Sequence, residues 1–348
     1  MEDQLLDLQD VARQLNISYN HLVNNLIKSD KIPVINVGSG NQRTLRVSKE
    51  DLKKYLDEQS SKQTTIQNAA ENVQNLRDSL LLSYIAKENA QLTPDDALMV
   101  SDVLNDLKKK KGIEGKIPKL DLFINSFGGA LEAAYKIVQI CRDYANEIHA
   151  IVPVYAKSAA TAIVLGCDSL TISKVGELGP IDPIIIDQNT GKRFPVKSIE
   201  ALFRFRSDEE KLKKFGIDPK KVDEMIGKMD PFTLGAYLNT RLVSEEYIPE
   251  LLKKGLNKND TDENVQKITD YFINELHSHA HPITFTSLCE KGVKNCELLE
   301  GQLEEGVKQL LRVYMAYMNT NSFNKIIGNA YWQFNNRAIQ ITMQKKEN

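Results

Sequence analysis

Two short segments of the 348-residue sequence bring together residue types suited to acyl transfer. One is Asn125-Ser126-Phe127-Gly128-Gly129; the other is Tyr155-Ala156-Lys157-Ser158, with Ala159, Ala160, Thr161 and Ala162 behind it. A serine at the first turn of a helix lies beside backbone N–H groups that have no intrahelical acceptor. A glycine pair on a neighbouring loop presents another N–H with no side chain in the way. Ser158 could then attack a carbonyl carbon while the amides of Gly128 and Ala159, with Gly129 beside them, hold the developing negative charge. Taken singly, Gly128-Gly129 reads as a turn and Ser158 as a helix N-cap. Their pairing is what points to chemistry.

Such a pairing needs elements that carry both segments to one edge. Residues 119–124 (KLDLFI) read as a short apolar strand, followed after Gly129 by a helix with Leu131, Ala134, Tyr135, Val138 and Cys141 on its inner side. A strand over 148–154, the turn ending at Ser158, the small-residue helix AATAIVLG and a strand SLTIS come next. This order calls for parallel strands joined by right-handed crossovers, with Gly128-Gly129 and Ser158 at the carboxyl ends of strands one crossover apart. A helical region is expected over 76–110, ending in the run Lys108 to Lys111 that suits a helix C-terminus. Residues 59–75 are polar and poor in large apolar side chains, which predicts a linker or a frayed helix. The tail 301–348 has a helical period around Leu310, Leu311, Val313 and Met315, with Trp332 and Phe334 beyond, and is expected to cover an edge or join protomers.

His277, His279 and His281 alternate, and on a strand they would share one face and could bind a transition metal. No Asp, Glu or Cys spacing around them completes a known metal motif, so no metal is expected. The composition agrees with a compact protein. Hydrophobic residues make up 41% of the chain, and 45 Lys+Arg stand against 47 Asp+Glu, which excludes a disordered or fibrous chain and one that coats a polyanion by charge alone. Cys141, Cys167, Cys289 and Cys296 form no CxxC pair and read as reduced thiols. The N-terminus carries acids where a secretory signal needs a basic start. The apolar stretch 148–167 contains His149, Pro153 and Lys157 and does not read as a bilayer span, so a cytoplasmic protein is expected.

At the front, Leu5, Leu8, Val11, Ala12 and Leu15 lie at helical spacing, Asn16-Ile17-Ser18 breaks the chain, and a second helix from about Tyr19 to Ser29 follows. Two strand-like pieces, VINVG and TLRVS, flank the turn at Gly38-Ser39-Gly40-Asn41, and an amphipathic helix covers 49–57. Helix, tight turn, helix, two-strand wing, helix is a winged helix-turn-helix layout, and residues 8–56 resemble the excisionase-type, MerR-like DNA-binding domain. That resemblance implies that Ser18, Tyr19, Asn20 and His21 face base edges and that Arg43 and Arg46 of the wing face phosphates. Residues 1–58 hold eight Lys/Arg and nine Asp/Glu, a weak field for DNA, so a protein-binding or dimerisation module is the competing expectation.

INSFGGALEAA, followed by VPVYAKSAATAIVLGCDSLTISKVGELGPIDP, resembles the Clp-protease/crotonase superfamily across its nucleophile region, and more closely the serine dehydrogenase proteinase family, which is related to signal peptide peptidase A. The resemblance runs from about residue 76 to at least 300 and is specific through 119–183. Phe127 stands where that family commonly has proline, and Ala159 and Ala160 where it often has glycine. It implies an α/β fold: a Clp/crotonase-like parallel-sheet peptidase domain over 76–300, behind a small winged helix-turn-helix domain at 1–58 and the 59–75 linker, with a helical extension from 301. It implies a serine peptidase that needs no cofactor, acts on polypeptides and self-associates. At the place where Clp proteases carry a histidine this chain has Leu178-Gly179-Pro180-Ile181-Asp182-Pro183. Relatives with a Ser-Lys dyad imply Lys197, in FPVKSIEALF, as the general base; the apolar residues Pro195, Val196, Ile199, Leu202 and Phe203 around it could depress an amine pKa from about 10.4. The segment around His279 matches the place where relatives carry their third triad residue, so His279 is the second candidate. Asp182 is a possible charge partner. A catalytically idle domain acting as a DNA-tethered scaffold is the alternative.

Overall fold

The computed structural model describes residues 5–331 apart from 16, 39–43, 182–183, 187–192, 229–230 and 277; at 21, 25, 59–64, 184–186, 193–197, 205, 231 and 233–234 it describes the backbone only. The chain starts with strand β1 (Leu5–Asp7), helix α1 (Leu8–Gln14) and α2 (Tyr19–His21), which runs on as a π-helical stretch Leu22–Ile27. Strands β2 (Ile35–Asn36) and β3 (Leu45–Ser48) form the wing, with β1 added as a third antiparallel strand on the other side of β3. Leu5–Asp7 therefore pair rather than opening the first helix. Asp7 caps that helix instead, accepting the Asp10 N–H at 2.7 Å. Leu8, Val11, Leu22, Leu26, Ile32, Val47 and Leu52 close a small core of their own.

Ser48 accepts the Asp51 N–H and starts α3 (Lys49–Arg77), an unbroken helix of 29 residues. The expected linker at 59–75 is its middle. Its sparse apolar residues, Ile66, Ala69, Ala70 and Val73, sit at i, i+3, i+4 and i+7 and are buried against Val307, Leu310 and Tyr314 of the last helix. A linker reading fails because the partner stripe lies far away in sequence. Strand β4 (Leu80–Ala86) comes next and corrects the helical expectation for 76–110. LLLSYIA is a continuous apolar run, buried on both faces in a central parallel strand, and such a run has no period to separate strand from helix. The helix proper is α4 (Pro94–Lys111), opened by a Thr93/Asp96 capping box and closed by Gly112 at φ +62°.

The chain then runs β5 (Ile117–Asn125), α5 (Leu131–Tyr144), β6 (Ala145–Val152), β7 (Tyr155–Ala156), α6 (Ala159–Leu165), β8 (Ser169–Ile172) and β9 (Glu177–Leu178). A hairpin of β10 (Ile184–Ile186) and β11 (Arg193–Pro195) leads to helices α7 (Val196–Ser207), α8 (Glu209–Lys214), α9 (Pro219–Gly227) and α10 (Pro231–Lys254). Helices α11 (Asp262–Asp270) and α12 (Phe285–Glu290), strand β12 (Cys296–Leu298), α13 (Gly301–Asn321) and β13 (Lys325–Asn329) complete the described chain. One six-stranded sheet has the order β12-β8-β6-β5-β4-β13. All neighbours in it are parallel except β13, which is antiparallel to β4. The tail, expected to be helical from 301, is helical only through α13, which carries Leu310, and then adds strand β13 as the sheet edge beside β4; Trp332 and Phe334 lie outside the described residues. Among the described residues no helix is long and apolar enough to cross a membrane.

At the amino ends of the strands a buried polar row crosses the sheet. Asp121 of β5 accepts Arg77 at 3.0 Å and Ser79 at 2.7 Å. Beside it, His149 of β6 lies 2.5 Å from Ser169 Oγ and 2.8 Å from Thr171 Oγ1, and the latter donates to Glu297. Thr171 must therefore accept from His149 Nε2–H, which in the neutral ring leaves Nδ1 to accept from Ser169. Burial, with Arg77 nearby, pushes its pKa down to about 3. An unfolded histidine takes its proton near 6.5, so the unfolded chain binds more protons between those values and stability falls as pH drops through that window. Urea unfolding at pH 7 and pH 5 should show wild type losing about 2 kcal/mol more than His149→Gln over that step. Equal losses would remove His149 as the cause.

Candidate active site

The site is built where two chain corners cross at the carboxyl ends of β5 and β6. Ser126 N–H donates to Tyr155 O and Lys157 N–H donates to Ser126 O, both at 2.9 Å, which fixes the two corners side by side. Beyond Ser126 the chain needs glycine. A Cβ on Gly128, at φ +92°, would stand 2.4 Å from Lys157 O and 2.9 Å from both Ala159 N and Ser158 Cβ. On the other side, Leu92 N–H donates to Gly128 O at 2.8 Å and Leu92 O accepts Ala130 N–H at 2.9 Å. In a parallel bridge of this kind the flanking residues bond the partner, so Gly129 turns its own N–H away from Leu92. Gly128 N–H, expected among the donors, engages Ser126 Oγ at 3.1 Å. The N–H groups of Gly129 and Ala159 have no acceptor among the described residues.

Ser158 sits at φ +50°, ψ −122°, a conformation that costs of order 1–3 kcal/mol for a residue with a Cβ. It precedes α6 but its side chain makes no capping bond, so the hydroxyl is not engaged as an N-cap. It lines a cleft of about 340 Å³ with Gly128, Gly129, Ala159, Ile181, Val243 and His279. Every residue of α6 is buried, which the small side chains at 159, 160 and 162 allow. Of the four thiols only Cys141 and Cys167 are buried, and burial pushes the pKa of the first up to about 12 and that of the second well above its ordinary value.

His279 reaches the cleft through a second set of backbone bonds. Leu178 and Ile283 exchange N–H···O bonds of 2.9 and 3.0 Å, and Ile181 N–H donates to Phe272 O at 3.0 Å, so the 276–284 segment is laid against β9. From Ser278 on it is a turn, closed by His281 N–H on Ser278 O, and not the strand on which alternating histidines would share a face; His277 lies outside the described residues. Among the described residues no group of three or more His, Cys, Asp or Glu could hold a metal ion. Lys197 lies in the first turn of α7; its side chain and Asp182 lie outside what is described.

Sequence reasoning overlooked Lys157 and Thr161. Lys157 Nζ pairs with Glu177 at 2.6 Å and donates to Leu178 O at 3.2 Å, under a Gly179 whose Cβ would meet the lysine chain at 2.7 Å. Thr161 Oγ1 lies 2.6 Å from Ala156 O and 2.9 Å from Gly179 O, and accepts Gly179 N–H. Both tie the corner at Ser158 to the segment after β9. The signal available was position alone: they flank the serine on either side.

The sequence profile of the ClpP-like SDH-type serine proteinase family matches residues 112–337, about two thirds of the chain, and a helix-turn-helix domain profile matches residues 5–60. The chain belongs to the ClpP-like SDH-type serine proteinase family. Two curated relatives, the uncharacterized proteins MJ1495 and MJ0137 of Methanocaldococcus jannaschii, are 26% identical over 56% of this chain and 29% identical over 30% of it. The matched regions span 56% and 36% of those relatives' own lengths. Similar solved structures include two variants of the 1510-N membrane-bound stomatin-specific protease, one in complex with a substrate peptide. The first has a TM-score of 0.36 at 15% identity, covering 64% of this chain and 79% of that one. The peptide complex has a TM-score of 0.39 at 16% identity, covering 62% and 74%. A ClpP1 variant from Listeria monocytogenes has a TM-score of 0.36 at 16% identity, covering 67% and 98%.

In the SDH-type family member described here, the helix-turn-helix domain exposes Ser18, Tyr19 and Asn20 at the start of its second helix. Arg46 is half-buried and donates to Leu45 O at 3.2 Å, whereas Arg43 and the side chain of His21 lie outside the described residues. Lys31 Nζ donates to Ser322 Oγ at 3.1 Å and Tyr55 OH to Asn321 at 3.4 Å, joining this domain to the end of α13.

The crossing at Gly128 generates a direct test. Gly128→Ala should lower stability by roughly 2 kcal/mol or more, because a Cβ meets backbone at a positive φ, and should abolish fluorophosphonate labelling of Ser158. Gly115→Ala, where a Cβ meets nothing within 4 Å, is the control. Labelling at wild-type rate in Gly128→Ala would show that the close approach does not shape the site.

Proposed function

We propose that the protein is a serine endopeptidase working through an acyl-enzyme in the cytoplasm, carried by a helix-turn-helix module that docks it on DNA. One observation carries the peptidase reading: Ser158 is held in a strained corner facing the cleft, its hydroxyl not used as a cap, beside two backbone N–H groups that have no acceptor among the described residues. Ser158 Oγ attacks the scissile carbonyl carbon as the general base takes its proton. The carbonyl oxygen, now an oxyanion, is received by Gly129 and Ala159 N–H, with Gly128 shaping the loop rather than donating. Collapse expels the amine, which takes the proton back from the base, and water attacks the ester by the same route in reverse. No cofactor enters these steps.

Lys197 is the first candidate for the base and His279 the second. Lys197 is favoured by its apolar sequence neighbours and by the Ser-Lys dyads of relatives; His279 is favoured by sharing the cleft with Ser158. Asp182 remains the candidate charge partner. Substrates are polypeptides, and Ile181 and Val243 offer an apolar wall for a side chain next to the scissile bond. Self-association is part of the proposal. Leu238 and Leu242, 53% and 62% exposed, share a face of α10, while Thr240 and Val243 of the same helix border the cleft, so a second copy seated there would lie next to the site.

Ser158→Ala should abolish hydrolysis and labelling with the fold intact. Lys197→Ala should lower turnover by several orders of magnitude and His279→Ala by less, compared over pH 6 to 10. A labelled Ser158→Ala chain would remove the nucleophile; a dead His279→Ala beside an active Lys197→Ala would replace the dyad by a Ser-His arrangement. Wild type that never labels would leave the idle scaffold.

For the front domain, the exposed Ser18-Tyr19-Asn20 edge supports DNA docking and the balanced charge supports modest affinity per copy. In the full chain, duplex binding should weaken steeply from 50 to 200 mM salt, and Tyr19→Ala/Asn20→Ala and Arg46→Ala should each weaken it. Absence of salt-sensitive binding by the assembled protein would make the domain a protein-interaction module.

A further inference from the structure

A buried ion pair that nothing in the chemistry above uses joins the start of β13 to α4. Lys325, the first residue of β13, is 2% exposed at its side chain and Asp96 of α4 is 1% exposed. Lys325 Nζ lies 2.7 and 2.8 Å from the two carboxylate oxygens of Asp96 and 2.7 Å from the backbone oxygen of Gln91. Asp96 Oδ2 also accepts Tyr84 OH at 2.7 Å and Thr93 N–H at 2.8 Å. All three ammonium hydrogens therefore have acceptors. Taking such a pair out of water carries a desolvation penalty that an apolar pair of the same volume would avoid, so fold stability alone gives no reason for it.

Its third contact supplies one. Gln91 directly precedes Leu92, whose N–H and C=O grip Gly128 O and Ala130 N–H on either side of Gly129. The loop from Lys87 to Thr93 has no regular secondary structure to fix its register. It is held at its start by Lys87 N–H on Asn324 O (2.8 Å), in continuation of the β13 pairing, and near its end by Lys325 on Gln91 O. We infer that Lys325, paired with Asp96, is a positioning residue for the oxyanion donor at Gly129, acting through the Gln91-Leu92 segment. This rests on the peptidase reading for its chemical consequence, though not for the brace itself.

The test uses the full chain. Lys325→Met/Asp96→Asn removes both charges, leaving no lone buried ion, and Asn329→Ala is the control for damage to the same edge strand. Labelling of Ser158 by a fluorophosphonate, counted per folded molecule, should slow about 100-fold in the double variant, the cost of misplacing one oxyanion donor. KM for a peptide substrate and the pH profile should stay as in wild type, since base and apolar wall are untouched. Asn329→Ala should lower the unfolding midpoint without slowing labelling. Wild-type labelling rates in a folded double variant would overturn the inference. A second measurement needs neither activity nor a foldable variant: in wild type, the Leu92 and Ala130 amides should exchange hydrogen as slowly as those of β5. Loop-like exchange there would refute the brace. A wild type that shows slow exchange yet never labels would refute the peptidase reading and leave the brace standing.

Discussion

The architecture turns on one close approach, that of the Gly128 backbone to the Lys157-Ser158-Ala159 corner. A side chain at 128 would overlap Lys157 O, and one at 129 would overlap Leu92, so three chain segments meet at backbone distance only because two consecutive glycines stand there. The parallel order of β4, β5 and β6 makes the meeting possible. Right-handed crossovers put the ends of β5 and β6 on the same edge, and the small residues of α6 let its helix sit down on the sheet without pushing Ser158 away. Strain at Ser158 is then a local cost held in place by the sheet beneath it.

Helix α3 imposes a second constraint. It belongs to the helix-turn-helix domain at Lys49 and to the proteinase fold at Val73, and Arg77 in its last turn binds Asp121 of β5. Together with Lys31 and Tyr55 on the end of α13, this leaves the front domain no hinge within the helix. Rotation of the exposed Ser18-Tyr19-Asn20 edge would require melting a helix whose apolar stripe is buried, so the helix-turn-helix domain and the proteinase fold are coupled through geometry.

How much of this was legible in the sequence follows from where the information is local. Gly128-Gly129 and Ser158 were legible because the residue types a tight backbone crossing demands are few. The wing was legible because a turn between two alternating runs has one common solution. Strand β4 was misread because a continuous apolar run lacks period, and what makes it a strand is burial between β5 and β13, the latter 240 residues further on. The middle of α3 was misread because its four apolar residues become a helix face only opposite α13. Alternation of the histidines carries one-face geometry only on a strand, and at 279 and 281 a turn closed by His281 N–H on Ser278 O stands instead. Lys157 carried no signal of its own. A lysine beside a serine is ordinary until a glycine at 179 clears the space its chain fills.

The two lysines most deeply buried in the proteinase fold share a function that packing cannot perform. Lys157 attaches to Leu178 O with Glu177 as counter-ion; Lys325 attaches to Gln91 O with Asp96. Each carbonyl belongs to a segment tied to the loops around Ser158: Leu178 precedes Gly179, which packs on Lys157, and Gln91 precedes Leu92, which bonds Gly128 O. Apolar side chains can press such segments against the core but are indifferent to a shift along the chain, whereas a hydrogen bond to a single carbonyl is not. Where regular strands end and catalytic geometry still has to be held, this chain uses buried cations anchored by a carboxylate, each fixing the register of one loop.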